Sequence, residues 1–299
     1  MSQLDKQDPR TQFPVPPFPH PTGGAGAGTG DTNAMDPTPD HGEVSYLGTG
    51  RMPGYRVLVT GADSGIGRAA AIAMAKEGAD VALNGLPAEQ QELEDVRDVI
   101  ADLGRKAIIL AGDLTDEATC EQVVADAVSE LGGLDSLVLV AGHQKVHEDI
   151  TEQSTEDFDH TVKVNLYAMF WLTRAAIPHM APGSTIVTTA SVSAYQPQPR
   201  LVDYAMTKAG IITFTNGLAA QLAPKGIRAN TVVPGPVWTP LQPASYDGDE
   251  IEHYGEQAPF GRPAQPVELG AAYVHLAGPE SSYTSGSTLT IAGATGVAL

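Results

Sequence analysis

Cysteine is almost absent from this chain. The single Cys120 in 299 residues leaves no partner for an internal disulfide and no thiolate pair for a zinc site. Basic residues are scarce as well: seventeen Lys and Arg stand against thirty-six Asp and Glu, a net charge of −19, which argues against nucleic acid or an anionic membrane as a partner. No apolar run approaches the roughly 18 residues that cross a bilayer, and no charged-then-apolar leader opens the chain. These absences predict a soluble, cytoplasmic protein whose core needs no metal and no disulfide.

What is present divides unevenly along the chain. Residues 1–50 carry eight prolines and eight glycines and too few apolar groups to build a core, so they are predicted to form an extended arm. Phe13, Val15, Phe18 and Tyr46 are bulky enough to dock that arm on its own or on a neighbouring subunit. Residues 51–299 form the second part, and about 250 residues can bury roughly three quarters of their unfolded surface in one core.

From residue 56 onward the pattern alternates between short β-branched runs and longer helical ones. Strands are predicted near 56–59, 81–83, 107–111, 136–140, 185–189, 228–233 and 287–291, with helices at 68–77, 89–103, 116–131, 157–179, 203–222 and 266–276. That order predicts a single α/β domain of Rossmann type, a doubly wound seven-stranded parallel sheet with helices on both faces. Val162, Leu166 and Phe170 recur at four-residue spacing and predict one apolar stripe on the fourth long helix. Ligands of such sheets bind beyond the carboxyl ends of the strands.

Two motifs carry chemistry. The loop Thr60-Gly61-Ala62-Asp63-Ser64-Gly65-Ile66-Gly67 follows a strand and opens a helix, so side-chain-free glycines and a helix N-terminus face the same turn, a place for a pyrophosphate. Farther on, Tyr204 and Lys208 stand four residues apart and share one helix face. A cation there biases the phenol toward phenolate, giving a group that donates and accepts a proton. Ser191 lies thirteen residues before the tyrosine, and Asn165 lies in the long helix upstream. His143 and His147 have a spacing seen in metal sites, but without a His-Glu-x2-His or a cysteine pair they read as a solvated loop, so no metal is expected.

With those residues in place the chain resembles the short-chain dehydrogenase/reductase family over about residues 51–299. The match rests on Thr60-Gly61-x3-Gly65-Ile66-Gly67, Asp113-Leu114, Ala141-Gly142, Asn165, Ser191, Tyr204-x3-Lys208 and Pro234-Gly235. Pro39-Asp40-His41-Gly42-Glu43 and Trp238-Thr239-Pro240-Leu241-Gln242 resemble bacterial members with a proline-rich extension, described as glucose/ribitol-dehydrogenase-like or aldehyde reductases. The resemblance implies an oxidoreductase moving a hydride between NAD or NADP and an alcohol or carbonyl substrate, either an aldehyde, a ketone, a polyol or a sugar.

Residue by residue, the resemblance implies that Tyr204 exchanges the proton, Lys208 also holds the nicotinamide ribose, Ser191 polarises the substrate oxygen and Asn165 binds a relay water. Asp113 is expected to meet the adenine. Gly61, Asp63, Ser64, Gly65, Ile66 and Gly67, then Asn84, Leu114, Ala141, Gly142, Pro234, Gly235 and Val237, are expected along the cofactor. His143, Gln144, Gln196, Pro236 and Trp238 are expected around the substrate. A homotetramer joined through apolar helices is implied too.

Leu139 and Val140 occupy positions where the family usually has two asparagines, a departure that bears on the tie between the central strands. At 84–86, where a carboxylate would select NAD, the sequence reads Asn-Gly-Leu, so cofactor preference stays open. Two other readings remain: a dinucleotide-binding regulatory or structural protein with weak turnover, and an epimerase or dehydratase of the related extended families. The latter usually has a different glycine spacing and a larger C-terminal domain.

Overall fold

The computed structural model describes residues 6–19, 31–246 and 248–296. Seven parallel strands, Arg56–Thr60 (β1), Asp80–Asn84 (β2), Ala107–Ile109 (β3), Ser136–Leu139 (β4), Thr185–Thr189 (β5), Arg228–Pro234 (β6) and Thr288–Ile291 (β7), form one sheet in the order β3-β2-β1-β4-β5-β6-β7. Val57 pairs with Val81 on one side and with Ser136 on the other, so the chain reverses its winding between β1 and β4. Residues that alternate along a strand face opposite sides of the sheet. Val59, Val138, Val187 and Val232 accordingly pack under Gly65–Lys76 (α1), Gln90–Asp102 (α2) and Val267–Ala277 (α9), while Leu58, Leu137, Ile186 and Val233 meet Glu117–Leu131 (α3), Ala168–Ala176 (α5) and Val202–Leu222 (α6).

The long helix expected over 157–179 is broken. Thr155–Val162 (α4) passes through one widened turn, Lys163–Tyr167, before α5, and the chain then tightens over Ile177–His179. Pro178 has no N–H to continue the α ladder, which accounts for the second change. The widened turn inserts a residue into the 3.6-residue repeat. As a result Thr161, Asn165, Ala168, Met169 and Leu172 face inward, and the stripe of Val162, Leu166 and Phe170 is rotated outward until Phe170 is 43% exposed. Between β6 and α9 lie two helices that the sequence did not signal, Leu241–Ser245 (α7) and Gly248–Glu252 (α8).

The described part of the arm lies along its own domain, with Phe18, Met35 and Tyr46 buried. Its best anchor is Glu77, which follows α1 and is fully buried: Tyr46 Oη donates to Oε1 at 2.7 Å, Thr49 N and Arg51 N donate to Oε2 at 2.9 and 3.0 Å, and the Arg51 guanidinium pairs with Oε1 at 2.6 Å. Among the described residues no helix is long and apolar enough to cross a membrane.

Candidate active site

The glycine loop turns as tightly as its residue types require. Gly61 adopts φ +61°, a conformation favouring glycine, and a Cβ there would press within 3.0 Å of Ala141 Cα. A Cβ at Gly67 would fall 1.8 Å from Gly61 O, so only glycine lets α1 start beneath the turn. Ser64, Gly65 and Ile66 complete one wall of a cavity of about 320 Å³ that runs along the carboxyl edge of the sheet. Such a volume suits a small-molecule or cofactor site. Ala141, Gly142, Pro234, Gly235 and Val237 form its floor, and Asp113 and Leu114 line it beyond β3.

At the β2 end, Asn84 faces the same cavity, but its Nδ2 is spent on Leu110 O at 2.9 Å and Gly112 O at 3.3 Å. The carboxylates at this end come from elsewhere. Asp63 is buried in the glycine loop and accepts from Ser64 Oγ at 2.7 Å, and Glu89 enters from the turn before α2. Burial raises the pKa of Asp63; burial and then the charge of Asp63 push Glu89 up to about 7. No motif announced Glu89, because a lone acid at a helix entrance reads as a cap, and it does accept from Leu86 N at 3.0 Å.

The expected loss of side-chain ties at Leu139 and Val140 is met from the facing strand. Thr60 Oγ1 accepts from Val140 N and from Ala141 N, each at 3.1 Å, and so bridges β1 to the loop after β4.

On α6, Tyr204 and Lys208 share the inward face, with the ammonium 5.3 Å from the centre of the phenol ring. Lys208 Nζ donates to Thr189 O at 3.1 Å, which fixes it at the end of β5. Ser191 begins a short 3₁₀ turn, accepts from Ser193 N at 3.1 Å and lines the cavity beside the Tyr204 phenol. The phenol is held away from phenolate, contrary to expectation. Burial pushes Tyr204 up to about 12 against the opposing Ser191 hydroxyl, and burial draws Lys208 down to about 8. Desolvation disfavours the charged form of both groups.

Asn165 is buried in the widened turn, and its side chain is fully engaged: Oδ1 accepts from His143 N at 2.8 Å, and Nδ2 donates to His143 O and Thr207 Oγ1, both at 2.9 Å. It clamps the loop after β4 onto α6. A Cβ on Gly142 would lie 3.3 Å from Lys208 Nζ and 3.5 Å from Asn165 Oδ1, which shows how closely these groups converge.

Of the residues expected around the substrate, only His143 lines the cavity, its ring edge-on to His160 at 4.5 Å. Burial, and then the neighbouring His160, lower His143 to about 4. Gln144 instead donates from Nε2 to Ser245 Oγ at 3.0 Å, holding α7. Gln196 is exposed and packs toward Gly296, and Pro236 accepts from Ala264 N at 2.9 Å. Trp238 is turned away from the cavity and wholly buried, its Nε1 donating to Pro37 O at 2.7 Å. In extended chain neighbouring side chains point to opposite sides, so Thr239 faces the cavity and Trp238 does not. His160, Val164, Thr239, Leu241 and Gln242 supply the missing wall.

The pattern is shared with known proteins. Residues 61–294 match a family model described as enoyl-(acyl carrier protein) reductase. The chain is 48% identical over 297 residues to an uncharacterised oxidoreductase of Escherichia coli, covering 98% of each chain, and 39% identical over 265 residues to a glucose and ribitol dehydrogenase of Daucus carota, covering 87% of this chain and 91% of the relative. Among solved structures, a short-chain dehydrogenase from Burkholderia cenocepacia in complex with NADP superposes with a TM-score of 0.76 at 34% identity, over 81% of this chain and 98% of the other. A blue fluorescent protein from a metagenomic library in complex with NADPH superposes equally well, at 0.76 and 28% identity, over 83% and 100%. The glycine cradle, the sheet order and these matches together establish that the chain belongs to the short-chain dehydrogenase/reductase family and is an NAD(P)-dependent oxidoreductase.

Proposed function

We propose that the protein interconverts a small alcohol and the matching aldehyde or ketone, polyols and sugars included, with Ser191, Tyr204 and Lys208 as the reacting group. The observation that carries this reading is convergence: these three side chains line one end of a cavity whose other end is the glycine cradle. When bound, the dinucleotide gives or takes the hydride. In reduction, the Tyr204 phenol gives its proton to the substrate oxygen; in oxidation it takes one back. The Ser191 hydroxyl donates to the same oxygen and stabilises charge developing there. Lys208, held by Thr189 O, points its ammonium at the phenol and holds the ribose hydroxyls. Asn165 keeps its side chain for the loop, so its main-chain carbonyl, in the widened turn, is the group to hold a relay water.

Asp113 meets the adenine, and the residues from Gly61 to Gly67 take the pyrophosphate. His143, neutral at pH 7, and His160 offer hydrogen bonds to a hydroxylated substrate. Turnover of a panel of aldehydes, ketones, polyols and sugars with NADPH and NADH tests the reading; absence of turnover on every member would favour a dinucleotide-binding protein without catalysis.

The finer organisation is proposed as follows. Residues 1–50 act as an arm on a catalytic domain spanning 51–299, and the protein works in the cytoplasm. It assembles as a homotetramer: Phe158, Tyr167 and Phe170 on one helix pair, with Val202 and Met206 on α6, expose more apolar surface than a lone subunit ordinarily leaves in water.

A further inference from the structure

The segment between β6 and α9 roofs the cavity on its inner side and is gripped by the arm on its outer side. On the inner side Thr239 packs on the glycine loop so closely that a Cβ at Gly65 would meet Thr239 Cγ2 at 3.0 Å, and Leu241 and Gln242 face the same space. On the outer side the Phe18 ring lies 4.3 Å from the Trp238 ring, tilted by 42°. Phe18 N donates to Glu252 O at 2.8 Å, at the end of α8, and Met35 and Ile251 close the apolar cluster. Where the segment returns, Arg262 Nε donates to Pro9 O at 2.8 Å and its guanidinium lies over Phe13 at 5.2 Å.

α7 and α8 are five residues each, far below the length at which a helix holds itself together in water. Their position must come from packing. The catalytic domain ties them at single points, Gln144 to Ser245 on α7 and Arg200 to Glu250 on α8, and the arm supplies the apolar cluster that backs Trp238 and Ile251 from the outer side.

We propose that the arm is a strut for the roof of the site, and that Phe18 is a positioning residue acting through Trp238 to set where Thr239, Leu241 and Gln242 stand. Phe18 meets none of the reacting atoms. The strut is independent of which carbonyl compound is turned over, and it makes cofactor affinity depend on a residue that lies more than two hundred positions before the roof in sequence.

The test uses the full chain at a temperature well below its unfolding transition. Hydrogen exchange of the ligand-free protein and NADPH titration by nicotinamide fluorescence are compared for the parent, Phe18→Ala, Phe18→Leu and Trp238→Phe. Phe18→Ala is expected to speed exchange in 239–246 and 248–252 by about tenfold while α1 and β4 keep their protection, and to raise the NADPH Kd about fivefold. Phe18→Leu, which restores most of the apolar volume, is expected within about twofold of the parent, and Trp238→Phe, which loses the donor to Pro37 and part of the ring that Phe18 packs on, between the two. Unchanged roof exchange and unchanged Kd in Phe18→Ala overturn the strut, as does faster exchange spread evenly over α1 and β4. If Phe18→Ala does not fold, Trp238→Phe decides: a shift in both measurements supports the strut, and no shift overturns it.

Discussion

The pH behaviour of the site follows from two buried groups held away from their charged forms. Tyr204, pushed up to about 12 by burial, keeps its proton at any working pH, so it is ready to serve carbonyl reduction. Lys208, drawn down to about 8 by burial, loses its charge above that pH. We therefore expect kcat/KM for reduction to hold level through neutrality and to fall above about pH 8 as the ammonium beside the phenol disappears. Tyr204→Phe should cut turnover by about 10²- to 10⁴-fold while leaving the NADPH Kd within about twofold, because the glycine cradle is untouched; a variant that kept its turnover would disprove the tyrosine as proton donor. The third residue to test is Glu89. With Asp63 it lines the β2 end of the cavity, the end at which sheets of this kind hold the adenosine ribose, so Glu89→Gln should raise the kcat/KM ratio of NADP over NAD several-fold. Because Glu89 is pushed up to about 7, the parent's ratio should also drift toward NADP as pH falls below about 7, and Glu89→Gln should abolish that drift. A side chain at Gly85 would place its Cβ 2.9 Å from Asp63 Oδ1 and 3.2 Å from Leu93 Cδ2, so a carboxylate added there would have to displace the Asp63 carboxyl. The proton-transfer residues and the glycine loop were legible because their chemistry depends on type and spacing. Glu89, His160 and the orientation of Trp238 were not, since each depends on which way a loop turns in space.

At the level of the element, α1 joins the cavity to the arm: its first turn lines the cavity, and Glu77 just beyond its last turn holds Tyr46, Thr49 and Arg51. Burial acts to raise the Glu77 pKa, but the Arg51 guanidinium and the N–H and O–H donors outweigh it and hold the carboxyl at about 2. A depressed carboxyl stabilises the fold above its unfolded value and loses that contribution as pH falls through the folded one. Glu77→Gln should therefore cost about 2 kcal/mol near neutrality, roughly 4–8 °C in Tm, and should flatten the decline in Tm between about pH 5 and 2. An unchanged acid profile in the variant would show that the clasp contributes no pH-dependent stability. The seven strands were readable from their β-branched runs, since a strand covered on both faces has no alternation to confuse. The widened turn at 163–167 was not: five residues of ordinary helical composition carry no mark of it, and Asn165 owes its inward orientation to that single extra residue.

For the whole molecule, light scattering of the parent should report a mass near four chains, and Phe170→Glu should lower it by placing a charge in the apolar face. A parent that stays monomeric at micromolar concentration would remove the tetramer. The arm has a different consequence, one of order in time. Trp238 reaches Pro37 across 201 residues and Arg262 reaches Pro9 across 253, so the arm rests on a surface that is synthesised more than two hundred residues after it. Throughout translation Phe13 and Phe18 have nowhere to dock, and their proline- and glycine-rich surroundings suit such a wait, being poor at forming either a helix or a premature core. Contacts this distant form late, after the sheet has assembled. A nascent or truncated chain that stops before Trp238 would then carry its arm undocked, marked for proteolysis by the very segment that secures the finished molecule.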